Sequence, residues 1–483
     1  DVRCSMFVFI FVFMVAVSLL TTGCTLTPPY SRPEAPIPGA WPTGEAYRDV
    51  SVSPGAPETP WQRFFTDEGL RQAIATALKN NRDLRLAALN VERARALYGI
   101  QRAELFPVIE ATGGGSQQRI PGDLSTTGQS RTSEQYNVNL GLSSWEIDFF
   151  GRIRRATEAA RAEFFASEEN RNFVIQTLVT DLARAYIELR ALDQQLEISN
   201  RTVKVREESL KLVKARFDYG WDSKTPVLMT ENLVYGARAV VPDLKRAIEQ
   251  KENQISVLLG RNPGPITRGK ALLDQDLTVT IPPGLTSALL ERRPDIRFAE
   301  QTLVAANARI GEAKALLFPN IRITGASGWE SAALKSLFTG PASFWDIVAP
   351  GITQPIFQAG RLRAGVRVAE AVQQEALLTY KKSIQQAFRE VSDSLVGVRM
   401  LKEVRLESGK QVKALSQQTD LAYQRYYGGV TPYLEVLDSD RQLFESELKL
   451  TQDRANEFLA VIALYRALGG GWQTQEKPGA SRQ

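Results

Sequence analysis

The chain of 483 residues contains no histidine and only two cysteines, Cys4 and Cys24. Without histidine it has no Ser/His/Asp or Cys/His triad, no histidine-ligated metal and no imidazole proton shuttle. Two thiols near the N-terminus are too few to staple a fold, to supply four zinc ligands or to hold an iron–sulfur cluster. The net charge of +5 is small and spread along the chain, which gives little support for nucleic-acid binding. These counts exclude most classes of enzyme. Because no nucleophile–base pairing or phosphate loop is visible in the sequence either, we expect no enzyme, no catalytic residue, no metal and no cofactor.

The N-terminus carries one long apolar run without a charged residue, Met6–Leu20. Its length is short for a membrane-spanning helix, which needs about 20 residues, and is typical of a signal-peptide core. We expect a signal peptide at 1–23 and a lipid, with palmitate among its acyl chains, on Cys24. Thr21 stands where such sites usually have leucine, and a buried helix or an uncleaved anchor is the alternative. The prolines between Pro28 and Pro42 favour an extended tether instead.

The sequence repeats itself once. The aligned blocks are Asp83-Leu84-Arg85 with Asp295-Ile296-Arg297, Leu105-Phe106-Pro107 with Leu317-Phe318-Pro319, Gly151-Arg152-Ile153-Arg154 with Gly360-Arg361-Leu362-Arg363, Tyr219-Gly220 with Tyr427-Gly428, and Leu259-Gly260 with Leu468-Gly469. Because these blocks follow one another in the same order, the pattern predicts two tandem copies of one unit, at 71–261 and 285–469.

Each copy is predicted to contain a helix, two strands, a very long helix, a turn and a further helix. Between Arg152 and Tyr219 there is neither glycine nor proline, which allows roughly 100 Å of helix at about 1.5 Å per residue. The heptad positions are Leu182, Leu189, Leu196, Val203, Leu210 and Phe217, with Leu178, Ala185, Leu192 and Val213 on the partner register. This spacing predicts a coiled coil, which also occurs in soluble proteins and so does not decide the function.

Four segments have the character of β-strands, two in each copy. They are Val108–Arg119, Gln135–Phe149, Asn320–Glu330 and Phe344–Phe357. Tyr136–Leu142 alternates apolar and polar side chains as in a two-faced sheet, and Trp145 and Trp345 suit an interfacial position. Two soluble hairpins are the alternative. Because closed membrane barrels start at about eight strands, membrane-spanning hairpins would require several chains with four strands each.

Five motifs stand out when the chain is taken as a whole. They are Thr22-Gly23-Cys24 with the proline-rich tether, Leu290-Glu291-Arg292-Arg293-Pro294-Asp295-Ile296, Leu317-Phe318-Pro319, Tyr427-Gly428-Gly429-Val430-Thr431-Pro432-Tyr433-Leu434-Glu435-Val436-Leu437-Asp438 and Leu464-Tyr465-Arg466-Ala467-Leu468-Gly469-Gly470-Gly471-Trp472. In combination they resemble the TolC-like outer-membrane efflux proteins, specifically the lipoprotein branch to which OprM and NodT belong. The resemblance covers essentially the whole chain after Cys24.

The resemblance implies a mixed α and β membrane protein that acts as a homotrimer. Three chains would build one 12-stranded barrel in the outer membrane, continued by a periplasmic α-helical coiled-coil barrel. A lipid-anchored tether with an equatorial segment (24–70), an equatorial linker (262–284) and a C-terminal tail (470–483) would complete each chain. Such ducts work with a periplasmic adaptor (membrane fusion) protein and a proton-driven inner-membrane pump, and export small toxic compounds without covalent chemistry.

By the same resemblance, the helix after the second-copy turn lines the closed periplasmic end. Leu434 and Asp438 lie one helical turn apart and would form the periplasmic gate, as an apolar plug and a cation-attracting ring from three chains. Asp440 and Arg441 would support the gate by pairing with neighbours. The alternative is that Asp438 is a solvated helix residue near Arg441.

Two turns are expected to contact the adaptor, the first with Gly220 and Trp221 and the second with Gly428 and Gly429. Gly220 and Gly428 are expected to adopt positive φ. The first turn departs from the family pattern, because Trp221 follows the glycine where small apolar and hydroxyl residues are usual. Trp221 either tunes the choice of partner or packs within its own hairpin.

A periplasmic adaptor lipoprotein is the alternative function, since adaptors also carry a lipid anchor and coiled-coil hairpins. Adaptors flank one hairpin with lipoyl-like and small β-barrel segments, whereas here the helix–strand–strand–helix unit occurs twice, which favours the duct. The substrate stays open between drugs, solvents, phenolics and cations. With no histidine and only Met229 and Met400 beyond the predicted signal peptide, a copper path is disfavoured.

Overall fold

The computed structural model describes residues 30–37, 44, 60–126, 128–275, 285–339 and 344–473. The predicted signal peptide, Cys24, most of the tether, residues 276–284 of the predicted linker and residues 474–483 of the predicted tail lie outside them. The lipid site and these segment boundaries therefore stay predictions.

Helices dominate the described residues, and four strands interrupt them. The helices are α1 (Trp61–Phe64), α2 (Glu68–Asn80), α3 (Arg82–Ala103), α4 (Arg152–Asp218), α5 (Lys224–Leu258), α6 (Leu285–Arg292), α7 (Pro294–Ala315), α8 (Arg361–Tyr427) and α9 (Tyr433–Ala467). The strands are β1 (Ile109–Ile120), β2 (Arg131–Glu146), β3 (Asn320–Ser331) and β4 (Phe344–Thr353). None of the described helices combines the length and the apolar character that crossing a membrane requires.

The same series of elements occurs twice, with equal helix lengths. α3 and α7 have 22 residues, α4 and α8 have 67, and α5 and α9 have 35. Both long helices are preceded by a glycine with positive φ, Gly151 at 80° and Gly360 at 84°, a conformation that glycine adopts without strain. The predicted order of helix, two strands, long helix, turn and helix is found in each half of the chain.

The four strands form one antiparallel sheet in the order β1-β2-β3-β4. β2 begins at Arg131, before the predicted Gln135, because its ladder with β1 continues that far. β4 ends at Thr353, before the predicted Phe357, because Thr353 pairs with Asn320, where β3 begins, and the partner strand offers no further residue. Within the described residues β1 and β4 are edge strands, each paired on one side only.

The chain divides into two compact units. The first contains the sheet and comprises Val91–Ser167 and Ala299–Tyr380 with the N-terminal stretch to Glu34; the second comprises Ala35–Asn90, Glu168–Phe298 and Lys381–Gln483. In the second unit Leu182, Ala185 and Leu189 are almost fully buried in a hydrophobic core, as the heptad pattern predicted. Phe217 departs from that pattern, because it lies in the last turn of α4 and is 39% exposed.

Candidate functional site

Each long helix is followed by a tight turn into the next helix, at Gly220 between α4 and α5 and at Gly429 between α8 and α9. Gly220 has φ 75° and Gly429 has φ 74°. The backbone N–H of Trp221 donates to the carbonyl of Arg216 at 2.9 Å, and Val430 makes the equivalent bond at 2.9 Å. Both turns are therefore Schellman caps, in which glycine occupies the left-handed position.

The predicted positive φ at Gly428 is wrong, and Gly429 takes this role instead. The Gly428 N–H donates to the carbonyl of Gln424 at 3.0 Å, which is a helical bond four residues back. The helical pattern of α8 thus runs one residue past the position that the repeated Tyr-Gly pair suggested. In the structure Gly220 corresponds to Gly429, and Tyr219 corresponds to Gly428.

The predicted gate residues lie in the first two turns of α9. Leu434 is 58% exposed and the Asp438 side chain is 51% exposed. Asp438 accepts hydrogen bonds from Arg441 at 3.3 Å and from Gln442 at 2.6 Å. The structure therefore brings Asp438 and Arg441 together within one helix. Because both side chains are about half exposed, this ion pair contributes only about 0.3–0.5 kcal/mol.

The opposite face of α9 packs into an apolar cluster that joins the two hairpins. This tip cluster consists of Val213, Val227, Ala422, Tyr426, Tyr433 and Val436. Tyr433 and Val436 are buried, and the rings of Tyr433 and Tyr426 pack edge to face with centroids 5.0 Å apart. Because this face of α9 is fixed in the cluster, helical periodicity directs the two predicted gate residues to the surface of the chain.

A polar contact links the first turn to the second long helix. Asp222 accepts a hydrogen bond from Arg216 Nε at 2.7 Å and another from the Tyr426 hydroxyl at 2.6 Å. The Arg216 guanidinium also lies over the Tyr426 ring, 5.0 Å from its centroid. The hydrogen bond from Arg216, helped by that from Tyr426, holds the pKa of Asp222 below its ordinary value of 3.8. We call these three residues the latch, because they join the ends of the two hairpins.

Trp221 lies beside the latch and largely in solvent. It is 70% exposed, its ring centroid lies 5.7 Å from that of Tyr219, and Arg216 lies 6.0 Å from its ring. These contacts stay within the first hairpin, yet most of the indole surface remains free. Packing within its own hairpin and contact with a partner therefore both stay open for Trp221, since it packs on its own hairpin and offers an aromatic surface.

Asp440 is placed differently from the neighbouring Asp438. It is buried and accepts a hydrogen bond from Arg206 Nε at 2.7 Å, so its ion partner lies on α4 of the same chain. Arg206 also donates to the carbonyl of Leu233 at 3.0 Å and lies over the Phe444 ring at 5.0 Å. Burial raises the pKa of Asp440, and the charge of Arg206 opposes that rise. This buried pair connects α4, α5 and α9 just behind the predicted gate.

Sequence reasoning missed the Arg206–Asp440 pair and the latch. A signal for the first was present, because Ser199 and Arg206 interrupt the partner register between Leu192 and Val213. A polar residue at such a coiled-coil position is usually paired across the helices. No comparable signal points from Asp222 to Tyr426, whose contact depends on how the two hairpins pack.

The polar side chains at these turns are arranged for holding helices together rather than for ligating a metal. Across the described ranges, no group of three or more His, Cys, Asp or Glu side chains could hold a metal ion. The arrangement offers exposed carboxylates, a buried ion pair and an aromatic cluster.

Comparisons with known proteins find relatives among outer-membrane efflux proteins. A family model described as outer membrane efflux protein matches residues 73–261 and 285–470. The antibiotic efflux pump outer membrane protein ArpC and the toluene efflux pump outer membrane protein TtgC, both of Pseudomonas putida, are each 40% identical over 464 residues, with 96% of both chains covered. The crystal structure of the open state of the Neisseria gonorrhoeae MtrE outer membrane channel superposes with a TM-score of 0.84 at 34% identity, covering 93% of this chain and 99% of that one.

Proposed function

Because the chain belongs to the outer membrane efflux protein family, we propose that it forms a homotrimeric duct with a gate at its hairpin turns. The chain is the outer-membrane exit channel of an efflux system, and it extends from the outer membrane into the periplasm. Its family is one of channels rather than of enzymes. The adaptor alternative is not favoured, because the family model matches both halves of the chain.

The open edges of the sheet support an assembly of several chains, and three is the number that the family resemblance implies. In the described residues β1 and β4 each lack a partner on one side, and unpaired edges in a bilayer leave backbone groups without hydrogen bonds. Four strands are too few to close a barrel, which requires about eight. Pairing β4 of one chain with β1 of the next would close a 12-stranded barrel of three chains. The two matched halves and the equal helix lengths also support an internal duplication.

The exposed face of α9 supports the proposed gate. In a trimer with helices around a central axis, Leu434 and Asp438 would meet their copies from the other chains. Three leucines would form an apolar constriction, and three carboxylates would form a ring that attracts cations. Arg441 pairs with Asp438 inside each chain and would set the orientation of this carboxylate.

The latch and the buried pair would hold the second hairpin against the first. Opening the gate requires α8 and α9 to move away from α4 and α5 at the turns, and the Asp222–Tyr426 bond spans that division. Asp440 supports the gate from behind, through Arg206 on α4. We place the polar part of the closing energy in these two contacts, because the Asp438–Arg441 pair is exposed and lies within one helix. The tip cluster adds apolar contacts across the same division.

The turns would face the periplasmic adaptor. Gly220 and Gly429 shape the two caps, Gly428 follows the last residue of α8, and Trp221 offers an exposed aromatic surface for contact. An inner-membrane pump, driven by protons, would deliver the substrates. Acylation of Cys24 would anchor each chain to the outer membrane.

The substrates are proposed to be small toxic compounds of more than one class. One 40% identical relative is named for toluene and another for antibiotics. A wide duct leaves selection to the pump, so organic solvents and antibiotics are both expected substrates.

Fractionation and susceptibility together test the proposal. We expect the chain in the outer membrane, as a trimer that dissociates only on heating, and we expect its deletion to sensitise cells to toluene. A monomer in the soluble fraction would reject both the duct and the adaptor lipoprotein. A membrane-anchored monomer that adds no conductance to a planar bilayer would favour the adaptor.

A further inference from the structure

The two strand-to-helix junctions both enter a long helix through a glycine with positive φ, but they differ in chemistry. In the first half Glu146-Ile147-Asp148-Phe149-Phe150-Gly151 leads into α4, and in the second half Pro355-Ile356-Phe357-Gln358-Ala359-Gly360 leads into α8. Each is followed by arginines at the first and third helical positions. The first junction therefore supplies two carboxylates beside its arginines, and the second supplies none.

In the first junction every arginine charge is matched. Arg152 forms a two-pronged ion pair with Glu146 at 2.9 and 3.0 Å. Asp148 accepts from Arg154 Nε at 3.1 Å and from the backbone N–H of Arg154 at 2.8 Å. Both arginines of this junction are therefore paired with carboxylates of the same chain.

In the second junction the corresponding arginines lack such partners. Arg361 donates to the amide oxygen of Gln358 at 2.5 Å, and in the part of the chain that the structure describes neither Arg361 nor Arg363 pairs with a carboxylate. Next to them Ile356 is 95% exposed and Phe357 is 86% exposed. Uncompensated positive charge thus lies beside exposed apolar side chains, where the last membrane strand ends.

Arg361 also lines a cavity of about 210 Å³ between the two junctions. The cavity wall includes Phe150 and Phe318, whose rings stack with centroids 4.9 Å apart. Glu146, Asp148 and Arg152 also line the cavity, and both carboxylates are already paired with arginines of the first junction. Among the described residues Arg361 is thus the cation of this wall that has no carboxylate partner. An amphiphile with an anionic head and an apolar body matches this free charge and the aromatic wall.

We propose that this junction binds the phosphate headgroup of an anionic glycerophospholipid from the periplasmic leaflet of the outer membrane. Arg361 holds the phosphate through its guanidinium. The cavity wall accommodates the glycerol region, and Ile356 and Phe357 contact the acyl chains. The inference rests on the proposed function, since it requires β4 to lie in the membrane.

The test uses the full-length trimer in a non-ionic detergent with added phosphatidylglycerol, with bound lipid counted by native mass spectrometry. Arg361→Gln should reduce the affinity about tenfold, as expected for loss of one charge-assisted hydrogen bond. Arg367→Gln is the matched control, because Arg367 is exposed on the same helix, carries the same charge and does not line the cavity. It should change the affinity less than twofold.

A second variant, Gln358→Glu, gives Arg361 a carboxylate partner, as Arg152 and Arg154 have in the first junction. It should reduce phosphatidylglycerol binding at least as much as Arg361→Gln while the trimer keeps its heat-modifiable migration. Equal losses in Arg361→Gln and Arg367→Gln would show diffuse surface electrostatics and overturn the proposal. Glycerol phosphate that binds as tightly as phosphatidylglycerol would also overturn it. So would a trimer that dissociates in Arg361→Gln while lipid binding is unchanged, because Arg361 would then contact a neighbouring chain rather than a lipid. A conducting trimer with equal lipid binding in all variants would refute this inference and leave the duct standing.

Discussion

The most informative single change is Tyr426→Phe, which removes one hydroxyl from the latch. The Tyr426 hydroxyl donates to Asp222 at 2.6 Å, and this bond joins the two hairpins. Phenylalanine keeps the ring in the tip cluster and keeps the contact of Arg216 over its face. The substitution therefore tests the hydrogen bond with little change in packing.

The expected magnitude follows from the exposure of the latch. A hydrogen bond to a charged group contributes about 1.5–3 kcal/mol to stability. The side chains of Arg216 and Asp222 are 21% and 18% exposed, so the lower end of that range applies. Losing about 1.5 kcal/mol shifts the opening equilibrium of one chain about tenfold, because about 1.4 kcal/mol corresponds to a factor of ten. If three chains open together, the shift is about a thousandfold.

The assay is single-channel conductance of the trimer in planar bilayers. Tyr426→Phe should raise the fraction of time spent in the open state by at least tenfold at low voltage. Tyr219→Phe is the control, because Tyr219 lies at the same turn and is 74% exposed. If Tyr426→Phe and Tyr219→Phe leave the open fraction equally unchanged, the latch does not hold the gate and the reasoning is refuted.

Three further predictions concern the same hairpins. Arg206→Met should lower the free energy of unfolding by about 3–5 kcal/mol, because it leaves Asp440 buried without its ion partner. The double variant Arg206→Met with Asp440→Leu should recover most of that loss. Thermal unfolding followed by circular dichroism measures both. Gly429→Ala should lower stability by about 1–2 kcal/mol because of its positive φ, while Gly428→Ala should be nearly neutral, and equal effects would contradict the assigned cap. Because the folded pKa of Asp222 lies below 3.8, its contribution to folding stability is full above that pH and is lost as the pH falls through the folded pKa. The difference in melting temperature between wild type and Asp222→Asn should therefore be constant from about pH 7 to about pH 5 and shrink below about pH 4. A difference that already shrinks near neutral pH would refute this.

The long helices and the sheet could be read from the sequence because their patterns are local. A stretch without glycine or proline after Arg152, with apolar residues at heptad spacing, leaves few alternatives to helix. The strand ends were less accurate, since a strand stops where its partner stops. Arg131 extends β2 only because β1 is there to pair with it.

The gate role of the exposed residues stays a prediction, and the sequence named Asp440 without its buried partner. Leu434 and Asp438 follow from a motif on one helix, whereas the pairing of Asp440 with Arg206 joins residues far apart in the sequence. The shift from Gly428 to Gly429 has a similar cause. Two neighbouring glycines are equivalent in the sequence, and only the hydrogen bonds that end α8 distinguish them.

The central claim is that the chain forms a passive duct whose narrowest point is set by one face of α9. Single-channel conductance of the trimer with Leu434→Ala and Asp438→Ala, compared with wild type in planar bilayers, tests this most directly. The account predicts a higher conductance together with a loss of cation preference, because the apolar constriction and the carboxylate ring are both removed. An intact trimer with unchanged conductance and unchanged ion preference would contradict it.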